Sequence, residues 1–374
     1  MSGDTPADDS GAHRLGADET GRSAPPGRTV GIKQVAAHAG VSPGTVSNVL
    51  NRPERVAEAT RARVEQAIRD LGFVRNGSAS TLRAGHSSTI GLMVLDLANP
   101  FFTDVARGVE DIASERGYSV ILSSSGESDE RERRNLRVFA EQRVRGVLLT
   151  PVGDDGEATD RLRERGVPVV LLDHPTPRAN QCSVAVDDVA GGELAAAELL
   201  DAGARTLALV TGPTVLRQCA DRRKGALRAV RAAGLGRDAM REVAVGAMNA
   251  RAGQEAARRL LEAGPPLPDA IFCANDLLAL GVLRVLLQAG IKVPDDVALI
   301  GYDDIEFSAA AAVPLSSVRQ PTYQLGRIAT ELLLEECDET GGHAHQQVMF
   351  QPELVVRESS RSALGGPALG RHAL

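Results

Sequence analysis

The chain has 374 residues, long enough for two or three domains, and its 43% hydrophobic and 24% charged content is that of a soluble globular protein. It contains no run of eighteen apolar residues, and its first twenty residues are acidic with no apolar stretch, so neither a membrane-spanning helix nor a secretory leader is expected. The net charge of −7 is unevenly spread: residues 1–27 carry two Arg against five acids, residues 28–87 nine Lys or Arg against four acids, and the remainder is strongly acidic. A basic module on an acidic body is the asymmetry expected when one part meets phosphate and the other does not. The four cysteines, Cys182, Cys219, Cys273 and Cys337, show no CxxC spacing, which argues against a zinc site or a disulfide framework and fits a reducing cytoplasm. No metal and no cofactor are expected.

Residues 1–28, rich in Gly, Asp, Ala, Ser and Pro, have no apolar period and read as a disordered tail. Residues 29–75 show three short helical patterns and no strand. In GIKQVAAHAGVSPGTVSNVLNRP, Ile32, Val35, Ala36 and Ala39 share one helical face. Gly40 permits a tight turn, Val41 packs into its angle, Ser42 is a good N-cap and Pro43 suits the first helical position. Val46 and Leu50 then face inward on a second helix while Gly44, Thr45, Ser47 and Asn48 stay exposed. This is helix–turn–helix geometry, whose second helix sets its N-terminal residues against base edges in the major groove. A third amphipathic helix buries Val64, Ile68 and Leu71 and ends at Gly72. Residues 76–87 read as a hinge and linker.

From Thr89 onward, apolar β-like runs alternate with helical stretches: TIGLMVLDL, YSVILSSS, RGVLLTPV, VPVVLLDH, RTLALVTG, DAIFCAND and VALIGYDD. Such alternation predicts parallel sheets covered by helices, with ligand sites beyond the carboxyl ends of the strands. The residues closing these strands, among them Asp96, Asp173, Asn275 and Asp303, are polar. Residues 359–374 read as a second tail. No GxSxG, HExxH, P-loop or GxGxxG-after-strand fingerprint occurs, so no enzyme is expected.

GIKQVAAHAGVSPGTVSNVLN, RVAEATRARVEQAIRDLGFVRN and STLRAG together resemble the headpiece of the LacI/GalR family of bacterial transcription regulators. The rest, to about Arg357, resembles that family's effector domain, which is similar to periplasmic sugar-binding proteins. The resemblance implies an α/β chain: a three-helix helix–turn–helix headpiece with a hinge helix, then two Rossmann-like parallel-sheet subdomains. The N-subdomain is placed at about 88–187 plus 321–340, the C-subdomain at about 188–318 plus 345–358. It further implies that Thr45 and Ser47 meet phosphates and that Pro43, Gly44 and Asn48 face the bases, with Asn51 on the same surface. Asn48 has the chemistry for a bidentate contact to adenine. Gly44 has no side chain with which to read a base. The stretch at 76–83 matches the family's hinge helix, with Leu82 as the minor-groove wedge and Ala79 one turn earlier against a partner's hinge. Two departures stand out: Arg75 where the family often has Pro, and Ala57 where it commonly caps the third helix with Ser, an expected loss of ~1 kcal/mol.

In the body, the resemblance assigns Asn99, Phe101 and Phe102 of ANPFF to a ligand cleft, together with Asp173, His174, Arg222, Asn275, Asp303 and Gln320. Met248 is a further candidate, with core packing an equal reading. Carboxylates, amides and one guanidinium around an aromatic face suit a sugar or sugar-like polyol. Each acid or amide alone also serves as a cap for the helix after its strand. The expected function is a cytoplasmic DNA-binding regulator, a repressor, acting on a pseudo-palindromic double-stranded operator as a homodimer or tetramer under control of a small-molecule effector. The alternatives are a solute receptor without DNA function, or a regulator answering to a nucleobase or a protein co-regulator.

Overall fold

The computed structural model describes residues 30–73, 87–153, 156–338 and 342–361, and these fall into a small N-terminal unit and a large second one. The hinge residues Ala79 and Leu82 lie outside the described residues. Among the described residues no helix is long and apolar enough to cross a membrane.

The small unit has three helices, α1 (Ile32–Ala39), α2 (Pro43–Asn51) and α3 (Glu58–Leu71). Gly40, at φ 64°, turns the chain between α1 and α2, a conformation that glycine adopts without the steric penalty of a Cβ. Ser42 caps α2, its hydroxyl accepting from the Thr45 N–H at 3.1 Å, and Pro43 opens the helix as expected. Val35, Ala36, Ala39, Val46, Val49, Val64 and Ala67 form the core, with Leu50, Ile68 and Leu71 packed at its edge. Val49 is thus a central inward residue of α2 beside Val46, and Leu50, expected inward, is partly exposed. Ala57 makes no side-chain cap at the start of α3.

The large unit contains two six-stranded sheets. The first runs β11 (Gln347–Phe350), β5 (Ser183–Val186), β4 (Val169–Leu172), β3 (Val147–Leu149), β1 (Thr89–Val94), β2 (Ser119–Ser124), all parallel. The second runs β12 (Glu353–Val355), β10 (Ser316–Arg319), β9 (Ala298–Asp303), β8 (Ala270–Cys273), β6 (Leu207–Thr211), β7 (Met240–Ala244), parallel but for β12. Both cores have the doubly wound order 2-1-3-4-5. The switch points, where ligands bind in such sheets, fall between β1 and β3 and between β6 and β8.

The fully apolar strands are buried on both faces because helices cover them. α4 (Pro100–Glu115), α5 (Asp129–Glu141) and α6 (Gly156–Glu164) belong to the first lobe. α7 (Asp188–Asp201), α8 (Arg217–Ala232), α9 (Ala250–Glu262), α10 (Asp276–Gln288) and the one-turn α11 (Glu306–Ala309) belong to the second, and α12 (Thr322–Asp338) returns to pack on α4.

Two expected boundaries move. The segment 345–358 does not belong wholly to the C-subdomain: β11 pairs with β5 in the first sheet, and only β12 joins the second. The tail does not begin at Ser359, because Ser359 and Ser360 are buried and hydrogen-bonded. The Ser359 hydroxyl donates to the Leu299 carbonyl at 2.7 Å, and Arg361 forks onto Glu198. Composition suggests a tail; Leu299 of β9, one residue ahead of the pairing with β10, supplies the partner, its N–H donating to the Ser359 carbonyl at 2.8 Å.

Candidate functional site

On the small unit, α2 presents a polar face to solvent. Pro43, Gly44, Asn48 and Asn51 are exposed, and Thr45 and Ser47 half-exposed, since Val46 and Val49 turn the opposite stripe inward. The Ser42 and Thr45 hydroxyls lie 2.9 Å apart, and the Asn51 amide donates to the Ser47 carbonyl at 2.7 Å. Asn51 is thereby held along its own helix, whereas Asn48 projects from the exposed side.

In the large unit, the carboxyl ends of both sheets face one cavity of about 390 Å³, counting its mouth. From the first lobe come Leu95 and Asp96 after β1, Asn99, Phe101 and Phe102 at the start of α4, Glu127 after β2, and Asp173 after β4. The second lobe supplies Leu216, Gln218, Arg222, Met248, Asn275 and Asp303. Asn99 caps α4 by accepting from the Phe101 N–H at 3.1 Å, which turns the two Phe rings into the cavity wall, edge to face at 4.8 Å. Both Phe rings also pack into the core behind that wall.

The lobes touch across the cavity. The Asn99 amide donates to Asp303 Oδ2 at 3.0 Å, and Glu127 of the first lobe and Met248 of the second both line the cavity. Gln320 donates to the other Asp303 oxygen at 2.9 Å. Asp173 and Asp303 both have left-handed backbones, at φ 53° and 105°, sharp exits that aim strand-end carboxylates into the cleft.

Burial dominates the electrostatics. Desolvation raises Asp173 well above the ordinary carboxylate range, reinforced by the charges of Asp188 and Asp303, and raises Asp303 to about 6. Arg222 is the cation that balances them. Its Nε donates to Asp188 at 2.8 Å, its Nη1 to the Ala274 carbonyl at 2.6 Å, and its guanidinium lies 3.6 Å over the Tyr302 ring. One Asp173 oxygen, Oδ1, is buried with no hydrogen-bond partner. With four lining carboxylates and one guanidinium, already paired, the cavity offers acceptors and apolar faces to a ligand rich in hydroxyl donors.

The description "bacterial regulatory proteins, lacI family" matches residues 31–76, and "periplasmic binding protein-like domain" matches residues 196–360. The ribose operon repressor of Escherichia coli strain K12 is 34% identical over 330 residues, covering 88% of this chain and 99% of the relative. The chain belongs to the LacI family. Two solved structures of the family agree. The transcriptional regulator CelR–cellobiose complex is 34% identical with a TM-score of 0.66, over 88% of this chain and 99% of that one. The lac repressor dimer bound to operator and the anti-inducer ONPF is 27% identical with a TM-score of 0.75, over 90% and 100%.

Seven of the nine cleft residues expected of this LacI-family body line the cavity. His174 is buried but outside the lining, and Gln320 stands behind Asp303 rather than at the wall. Asn275 is at the wall, yet its amide caps α10 through the Leu278 N–H at 2.9 Å and donates to the Met248 carbonyl at 2.9 Å. The capping role given to such strand-end residues as an alternative is thus present there. Glu127, Gln218, Leu95, Asp96 and Leu216 were not singled out by sequence. Asp96 is marked in sequence only by its strand-end position, and Glu127 sits in the polar run SSSGESDER, where nothing in the local pattern marks one acid.

Proposed function

We propose that this LacI-family regulator is a cytoplasmic repressor that binds a pseudo-palindromic operator as a dimer and senses a neutral sugar between its lobes. The cavity supports the effector class: two Phe rings and Met248 offer apolar faces, while Asp96, Glu127, Asp173 and Asp303 ring them with acceptors. That lining disfavours phosphorylated or carboxylated effectors, because Arg222, its one guanidinium, is already held by Asp188 and the Ala274 carbonyl. The observation that carries the reading is Asp173 Oδ1, a buried acceptor turned into a polar cavity without a partner, which a ligand hydroxyl completes. The edge strand β2 exposes Ile121 and Leu122, apolar surface that a second copy would cover. No catalytic role is assigned to the cavity acids, and the relatives reported are regulators of transcription.

Fluorescence anisotropy with the operator regions of the chain's own gene tests the DNA half. Affinity should fall about 10³-fold between 50 and 200 mM salt, as phosphate contacts release counterions. Binding to no duplex at low salt would leave the solute-receptor reading standing instead. A thermal-shift screen of neutral sugars against sugar phosphates tests the effector half, with shifts expected from the neutral set alone.

A further inference from the structure

At the amino edge of the first sheet, opposite the effector cavity, four side chains from three distant segments converge. Cys182 immediately precedes β5, Glu336 lies in the last turn of α12, and His343 and His345 lie on the strand-like approach to β11. One ligand atom from each lies within 4.8 Å of all the others. Cys182 Sγ is 3.1 Å from His343 Nε2 and 3.6 Å from His345 Nδ1, which is 3.9 Å from Glu336 Oε2. We propose that this cluster is a binding site for a divalent transition metal, with zinc the ion its donors fit.

The chemistry and the spacing agree. One thiolate, two imidazoles and one carboxylate are the mixed S, N and O donors that zinc takes in fourfold coordination. Bond lengths of about 2.0–2.3 Å put the donors of a tetrahedron roughly 3.3–3.8 Å apart. The three measured separations bracket that range, so small side-chain rotations close the shell. Two positions apart on the approach to β11, His343 and His345 both reach the one thiol. Their rings meet edge to face at 5.2 Å. Glu336 Oε2 is buried, makes no hydrogen bond and stands 3.9 Å from His345 Nδ1, an acceptor still open to a cation. Arg163 is the nearby cation, and the thiolate, Glu336 and the adjacent Glu335 balance it against a dication. Binding replaces the Cys182 S–H proton, which leaves to solvent.

The site departs from the expectation set by cysteine spacing. A single Cys supplies the sulfur, and its histidine partner stands 161 residues away. Placed there, the ion ties β11, the last strand of the first lobe before the chain crosses to β12, onto β5 and the end of α12.

The test uses the full chain, reduced and stripped of metal by chelator, titrated with Co²⁺ as a spectroscopic probe and then with Zn²⁺. One equivalent of Co²⁺ should give tetrahedral d–d absorption and a thiolate-to-cobalt charge-transfer band, both abolished by Zn²⁺, and Zn²⁺ should raise the thermal midpoint. Cys182→Ser should remove the charge-transfer band, while Cys337→Ser, at the neighbouring thiol, should keep it. Because Cys182 is buried and its variant risks misfolding, the half-exposed pair His343→Asn/His345→Asn provides the second reading. It should bind Zn²⁺ about a hundredfold more weakly or worse, at or beyond the loss typical of outer-shell changes. An octahedral cobalt spectrum without a thiolate band, a band that follows Cys337, or unchanged zinc affinity in the histidine pair would each overturn the proposal.

Discussion

Asp173 and Arg222 sit in one cavity and invite opposite experiments. Arg222 is almost fully buried and holds Asp188, the Ala274 carbonyl and the Tyr302 ring at once. Removing it strands a buried Asp188, a change that typically costs about 3–5 kcal/mol. Arg222→Ala should therefore lower the urea midpoint sharply and is a poor probe of ligand response. Asp173→Asn is the better one, since Asn tolerates the left-handed backbone there and keeps the shape while losing one acceptor. It should weaken sugar binding about tenfold by calorimetry, while the thermal midpoint of the free protein rises at neutral pH, because the burial that lifts Asp173 opposes its charged form.

Asp276, at the first turn of α10, accepts from the Ile305 N–H and the hydroxyls of Ser308 and Ser317, and burial lifts it to about 7. Its folded value lies above its unfolded one, so the stability it contributes is full below about pH 4 and is lost as pH rises towards 7. Relative to the native chain, Asp276→Asn should gain about 1.4 kcal/mol per pH unit across that window. Urea unfolding at pH 5 and pH 8 reads the gap directly; a constant difference would refute the assignment.

Among the elements, three helix pairs share one device. On α7 and α8, a Cβ at Gly192 would lie 2.0 Å from the Arg222 carbonyl oxygen, and one at Gly225 would lie 2.0 Å from that of Val189. Gly108 and Gly326 do the same for α4 and α12, and Gly253 and Gly281 for α9 and α10. Each contact is with backbone, which cannot step aside as a flexible side chain does. Helix propensity alone favours alanine over glycine by about 1 kcal/mol. The prediction is nevertheless that Gly225→Ala destabilises, by about 1–3 kcal/mol in urea, because overpacking wins where the axes approach this closely. The α7–α8 crossing also carries Asp188 and Arg222, so the same contact that brings the helices together fixes the ion pair beneath the cavity.

At the scale of the whole molecule, closure of the large unit rests on few bonds. Asn99 to Asp303 joins the lobes at the cavity. Asp303 collects Asn99 from one lobe and Gln320 from the segment that crosses between them. Asn99→Ala should loosen this closure, and small-angle scattering of the effector-free protein should show a larger radius of gyration than the native chain, reversed by saturating sugar. An unchanged radius would assign closure to the apolar contacts instead. A ligand shifts such an equilibrium only through its different affinity for the two states.

Local pattern determined much of this protein. The Gly40 turn, the Ser42 cap and the apolar stripes of α1 to α3 are relations between residues a few positions apart, and the apolar strands with polar ends announce a doubly wound body. Seven of the nine residues that the family resemblance implied for a cleft line this cavity, and three of them, Asp173, Asn275 and Asp303, stand at or just after strand ends, which converge by topology in such sheets. What only tertiary structure decided depends on pairs far apart in the chain. The placement of β11 follows from the open edge of β5, that of Ser359 from its bonds to Leu299 at the start of β9, and the standing of Asn275 from the helix its amide caps. So too the gathering of Cys182 with His343 and His345: spacing along the sequence carries no record of a neighbour that a crossing strand delivers.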